Sequence, residues 1–103
     1  MLETILGNKS AVRVMRHIFI YEEVHASQIS HDYQTALDPI RNQLEKFEAV
    51  GILSARTIGR MKLYRFNKLN PYYPALIELI KISIKNNNTE LDIPIFRGLN
   101  EIN

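Results

Sequence analysis

The sequence predicts a mainly α-helical domain with one small β-hairpin, and three stretches predict it. Asp38–Leu53 (DPIRNQLEKFEAVGIL) has a helix start, an apolar stripe and a helix stop. Leu53–Asn67 (LSARTIGRMKLYRFN) then drops helical spacing for β-rich sequence on either side of Gly59-Arg60, the pattern of a two-stranded hairpin. Beyond it, Pro71–Lys85 returns to helical and strongly apolar sequence.

The first stretch organises the rest. Asp38 is placed to cap orphan amide hydrogens, Pro39 suits the first helical position because its missing N–H would be unpaired there, and Gly51 can take left-handed geometry past the last turn. Ile40, Leu44 and Phe47 recur at three- and four-residue spacing, a narrow apolar stripe with Val50 near its edge. The opposite face carries Arg41, Asn42, Glu45, Lys46 and Ala49, and its N-terminal half is free of bulky hydrophobes. Arginine matches two acceptors on a guanine edge and asparagine the donor–acceptor pair of adenine, so Arg41, Asn42 and Lys46 are candidate base readers in the major groove of double-stranded DNA. The bland alternative is a solvated helix face. Glu45 and Glu48 temper the DNA reading, since acids repel phosphate, or they tether neighbouring Arg and Lys side chains.

The hairpin is basic. Arg56, Arg60, Lys62, Arg65 and Lys68 fall within Arg56–Lys68, which holds no acid. A Gly-Arg tip approaches phosphates or a narrow minor groove at little steric cost, so Arg56, Arg60 and Lys62 are candidate DNA contacts, against the alternative of a solubilising hairpin. Tyr64 and Phe66 share one strand face and are expected beneath the hairpin as core, not as base-stacking platforms. A basic helix followed by a basic hairpin is the arrangement of a winged helix-turn-helix.

The run IRNQLEKFEAVGIL, then RTIGRMKLYRFN, then NPYYP, from Pro39 to Pro71, resembles the ArsR-like family of bacterial winged-helix transcriptional regulators, and the likeness extends over roughly Asn8 to Lys85. The resemblance implies a DNA-binding repressor in the bacterial cytoplasm. It also implies that the apolar lead-in MLETIL, with Leu2, Ile5 and Leu6, joins a dimer interface. The chain departs from the family before the recognition helix, where Tyr33 and Gln34 stand in place of the usual glycine, and its C-terminal helix lacks the His and Asp ligands of metal-sensing relatives.

Composition bounds the reading further. The chain has 103 residues, 46% hydrophobic and 23% charged, enough for a single domain with one core. A formal net charge of +2 is a weak bias by itself; its concentration in the hairpin, with Glu78, Glu90, Asp92 and Glu101 towards the C-terminus, carries more meaning. There is no cysteine, which excludes disulfides, thiolate metal sites and thiol redox sensing. No apolar run approaches the ~18–20 residues of a membrane span, and no secretory leader is evident, so a cytoplasmic location with no membrane partner is expected. His17, His25 and His31 with Glu22, Glu23 and Asp32 lack metal-site spacing, and no cofactor is expected. No nucleotide-binding loop, nucleophile elbow or catalytic carboxylate pair occurs, and an enzyme is not expected.

In chain order, Asn8 or Ser10 caps a first core helix that runs to about Tyr21, with Ala11, Met15, Ile18 and Phe19 inward and Arg13, Arg16 and His17 outward. Glu22–His25 is a connection, with Val24 a one-residue strand against the hairpin. Ala26–His31 is a second helix packed through Ile29, whose amide end near Ser27 and Gln28 is placed to meet a phosphate. Asp32–Leu37 is a turn. Asn70-Pro71 opens the last helix, whose apolar residues spread over about 220° of the wheel at ~100° per residue. That is wider than one core needs, so Leu76, Leu79, Ile80, Ser83 and Ile84 are expected to meet a second copy of the chain.

The expected protein is thus one domain at 1–103, with a winged-helix core at about 8–70, a C-terminal dimerisation helix at about 71–86 and an apolar tail at 87–103 that docks on its own domain or on the partner. Its expected function is sequence-specific binding of double-stranded DNA as a homodimeric transcriptional repressor, with room for a small-molecule effector between the last helix and the core. The alternative is a winged-helix module for protein–protein contact without DNA binding.

Overall fold

The computed structural model describes residues 1–86. In order these form α1 (Leu2–Leu6), α2 (Lys9–Tyr21), α3 (Ala26–Tyr33), α4 (Leu37–Ala49), β1 (Leu53–Ile58), β2 (Met61–Phe66) and α5 (Tyr73–Asn86). The fold is a winged helix-turn-helix, mainly helical with one antiparallel hairpin. The tail expected to dock on the domain lies outside the described residues.

Helix α2 is the axle. Asn8 caps it, its side-chain oxygen accepting the Ala11 N–H at 2.7 Å. Each of α1, α3, α4 and α5 packs against α2, and so does β2. Ala11, Val14, Met15 and Ile18 are fully buried. Because partners surround the helix, its expected outer face is covered too. Arg16 is only 2% exposed and His17 0%, which corrects the expectation that both face solvent. His17 Nε2 is hydrogen-bonded to Asp32 Oδ2 at 2.7 Å, and the His17 ring lies against Tyr21 at a centroid distance of 4.7 Å. A buried imidazole is tolerable when it has such partners. Asp32 therefore belongs to α3, which continues two residues past the expected His31 and ends where Gln34 takes the left-handed cap at φ 54.

Helix α4 buries Ile40, Leu44 and Phe47, as its spacing predicts. Its start differs: Ala36 is the N-cap, with no side-chain capping bond, and Asp38 lies in the first turn. Pro39 is then the third helical residue, where the missing N–H is still one of the orphan donors. The end is as expected. Gly51 has φ 83, the Ile52 N–H donates to Phe47 O and the Gly51 N–H to Glu48 O, the paired closure that satisfies the last carbonyls of a helix.

β1 and β2 pair from Leu53 opposite Phe66 to Ile58 opposite Met61, which leaves Gly59 and Arg60 as the two-residue turn. Gly59 has φ 62, suiting the first central position of the tight hairpin turn that matches strand twist. Leu53, Tyr64 and Phe66 face the core, and Val24 forms the expected single bridge to Tyr64 on the other edge of β2.

Helix α5 begins at Tyr73, two residues later than expected, because Asn70 is spent on a turn in which its side-chain oxygen accepts the Tyr72 N–H at 2.8 Å. Its apolar arc is divided. Ile80 is fully buried in the domain's own core, with Leu76, Ile77 and Ile84 packed beside it. Ser83 donates to the Ile80 carbonyl at 2.8 Å. Ile80 is thus a core residue of one copy, which corrects its expected place at an interface, whereas Leu76 and Ile84 are half-buried against that core. What remains towards the outside is a stripe of Tyr72, Ala75, half-buried Leu79 and Ile82 at three- and four-residue spacing, with Tyr72 73% and Ile82 49% exposed.

We expect Ile80→Ala to cost about 2–5 kcal/mol in urea unfolding, and Leu69→Ala, at a side chain 92% exposed, less than about 1 kcal/mol. Equal losses would place both residues on the same kind of surface.

Candidate nucleic-acid interface

The exposed face of α4 is built by subtraction. Ile40, Leu44 and Phe47 turn inward, and the same 3.6-residue period turns Arg41, Asn42, Glu45, Lys46 and Ala49 outward, all of them exposed. The structure therefore groups the three expected base readers on one face. Arg41 is lightly held: its Nη1 lies 3.5 Å from Asp38 Oδ1 one turn earlier, and both side chains are at least half exposed. Such a pair is worth ~0.2–0.5 kcal/mol and yields readily to a phosphate or a base.

The first helix of the motif, α3, has His25 at its N-cap with no side-chain capping bond, Ser27 exposed and Gln28 half-buried. No side-chain cap takes up its first-turn amides, and the Gln28 N–H donates to the His25 carbonyl at 3.1 Å.

The wing is anchored by two of its three expected contact residues. Arg56 Nε and Nη2 donate to both carboxylate oxygens of Glu23 at 2.8 Å each. Lys62 Nζ pairs with Glu48 Oε1 at 2.9 Å and lies 5.3 Å from the Tyr64 ring centroid. The Glu48 pairing realises the tethering role that the sequence allowed for that acid. Arg60, at the tip, is exposed and has no ion pair to a described residue. Of the three expected wing contacts, then, Arg56 and Lys62 are held by carboxylates and Arg60 is not. Charge shows in the titration of these groups. The Arg56 hydrogen bond holds the Glu23 carboxyl below its ordinary value, aided by the positive charges of Arg56 and Arg65. The Glu23 bond raises Arg56 in turn, and the Glu48 bond raises Lys62.

Two features escaped the sequence reading. Glu23 as the wing's anchor is 33 residues from Arg56, and no local spacing connects them. Ile58 and Met61, paired across the hairpin just below the tip, are 50% and 41% exposed; their alternation away from Tyr64 marks them as the outer strand face.

Among the described residues, no group of three or more His, Asp or Glu side chains is arranged to hold a metal ion, and no helix is long and apolar enough to cross a membrane. No family model matches the chain, and no curated protein matches it. Among solved structures, the chain is similar to that of the AntR antimony-specific transcriptional repressor, with a TM-score of 0.64 and 19% sequence identity, covering 86% of this chain and 78% of that one. At that identity the likeness establishes the shared winged-helix fold. It is the class of protein, a winged helix-turn-helix domain with an added C-terminal helix, that fold and surface together define.

The Glu23 titration offers a direct check. Its carboxyl is depressed in the folded state, so the stabilisation it brings is present above the ordinary value of 4.5 and is lost as pH falls through the lower folded value. We expect side-chain NMR to give Glu23 a midpoint below 4.5, moving up to the ordinary value in Arg56→Gln. A midpoint unchanged by that substitution would remove the anchor.

Proposed function

We propose that this chain is a sequence-specific double-stranded DNA-binding regulator of transcription, a repressor that acts as a homodimer and not an enzyme. One observation carries the reading: the exposed face of α4 holds Arg41, Asn42 and Lys46, and the flank of α4 bearing Arg41 also bears Glu48, two turns on, whose carboxylate reaches Lys62 of the wing. Reading head and wing are thereby set side by side. A winged helix uses that geometry by laying the second helix of its motif in the major groove while the hairpin meets the flanking backbone. The likeness to a transcriptional repressor supports the reading.

Dimerisation is assigned to the α5 stripe of Tyr72, Ala75, Leu79 and Ile82, whose spacing of three, four and three residues is that of a two-helix seam. Of the five interface residues expected from sequence, Leu79 keeps the role, and half-buried Ser83 borders it. Ile5 of α1, an element that packs against α5, is 53% exposed and is a further candidate for the interface. Apolar side chains of this size contribute ~1.5–3 kcal/mol each when fully buried, so a few of them sustain micromolar association at about 8 kcal/mol.

Fluorescence anisotropy on a selected operator and on random duplex separates the roles. We expect Asn42→Ala to cost ~1–3 kcal/mol per half-site on the operator and much less on random DNA. Arg60→Ala should weaken both duplexes alike and lower the salt slope by about 0.9 for each phosphate left unneutralised. Arg56→Ala should change affinity less than Arg60→Ala, because Arg56 gives up Glu23 to reach a phosphate. Variants silent on every duplex would leave a protein-docking module as the function.

Sedimentation equilibrium tests the assembly. We expect a dimer at micromolar concentration that Leu79→Glu converts to a folded monomer, whereas a monomeric wild-type chain would refute the seam.

A further inference from the structure

Away from the α4 face, the C-terminal turn of α2, the end of β2 and α5 enclose a cleft of about 710 Å3, within the size range of small-molecule sites. Its floor is apolar and largely aromatic: Ile18 and Phe19 from α2, Phe66 from β2, Tyr73 and Ile77 from α5. The Phe66 and Tyr73 rings meet at 56° with centroids 5.8 Å apart, a tilted pair at the base of the cleft with Phe66 buried and Tyr73 half-buried. The rim is charged and unbalanced. Arg65, Lys68 and Lys81 stand on it, all exposed, and none forms an ion pair with a described residue. Against them stand Glu22 and Glu23, and the Glu23 carboxylate is already engaged by Arg56.

Three cations thus face one uncommitted carboxylate over an aromatic floor. We propose that this cleft binds a small aromatic carboxylate, its ring on Phe66, Tyr73 and Ile77 and its anionic group among Arg65, Lys68 and Lys81. A cationic aromatic fits poorly, because it would meet that excess of positive charge at close range.

The wall of the cleft also anchors the wing. Glu22 has φ 73 and ψ −53, and the Glu23 N–H donates to the Tyr21 carbonyl at 2.9 Å across it. That is a tight γ-turn, rare and strained for a residue with a side chain. The next residue, Glu23, holds Arg56, and the one after, Val24, exchanges both backbone hydrogen bonds with Tyr64 of β2, at 3.0 and 2.7 Å. An anion seated beside Arg65 therefore acts on the residue that fixes the wing. As an effector site the cleft rests on the regulatory reading; as a binding site it stands apart from it.

The test uses the full 15N-labelled chain, titrated with 2-naphthoate and, for comparison, 2-naphthylmethylammonium. We expect saturable shifts at the amides of Phe19, Phe66, Ile77 and Lys81 with the carboxylate, and affinity at least about tenfold weaker for the ammonium, a difference of ~1.4 kcal/mol. Lys81→Glu, a surface change that leaves thermal unfolding in place, should weaken naphthoate at least about tenfold. Saturation should also move the Glu23 midpoint upward, since a nearby anion opposes its ionisation. No saturable shift, equal affinity for the two probes, or indifference to Lys81→Glu would each overturn the site. Naphthoate binding without any duplex affinity would keep the site and remove the regulatory role, and duplex binding without naphthoate binding would do the reverse.

Discussion

The carbonyl oxygen of Gly51 accepts two side-chain hydrogen bonds, from Asn67 Nδ2 at 3.0 Å and Asn70 Nδ2 at 2.9 Å. That one acceptor joins three elements: the end of α4, the residue that follows β2, and the turn that launches α5. It is available because Gly51 adopts φ 83, the left-handed conformation that a side chain resists, and so aims its carbonyl away from the helix it terminates. The Asn67 N–H adds a bond to Ile52 O at 2.9 Å. Each such bond contributes ~1 kcal/mol net, but the larger effect is geometric. The exit of α4, the return of the wing and the entry to the last helix share one fixed point, so the placements of the wing and of α5 relative to α4 are set together.

Packing on α2 then decides which faces are left for function. Four helices and a strand surround it, so each of those elements spends its apolar side inward and presents the remainder. For α4 the remainder is Arg41, Asn42 and Lys46; for α5 it is Tyr72, Ala75, Leu79 and Ile82. The wing has no second layer above it and is steadied by charge: Arg56 on Glu23 and Lys62 on Glu48, from two different helical ends. These exposed pairs contribute little to stability, but they orient the hairpin, which would reduce the ordering required by the proposed binding of nucleic acid. Under the proposed function the wing would exchange carboxylate for phosphate, so that salt and pH would act on it more than on α4.

What the sequence revealed follows from how local the physics is. The stripe of Ile40, Leu44 and Phe47, the Gly51 stop and the Gly59-Arg60 turn are each written within a few residues, and each was legible. The burial of Arg16 and His17 was not, because it depends on Asp32 fifteen residues away and on helices packing from every side. Ile80 misled for a related reason: an apolar arc of about 220° is wider than one core needs but does not say which side faces the chain's own core. The site was legible as residue types, Arg41 and Asn42 on a face and Arg60 at a tip. The state of its cations was not, since Glu23 meets Arg56 only in three dimensions.

Whether the outer face of α4 and the tip of the wing form a single nucleic-acid surface is tested most directly by an amide chemical-shift map of the labelled chain, titrated with a short mixed-sequence duplex at low salt. The expected result is a continuous footprint over residues 38–46 and 57–62 and the start of α3, with the Asn42 and Arg60 side chains shifting together. A footprint confined to α5 and the first helix, or no footprint at concentrations where mildly basic proteins already associate with duplex, would contradict it.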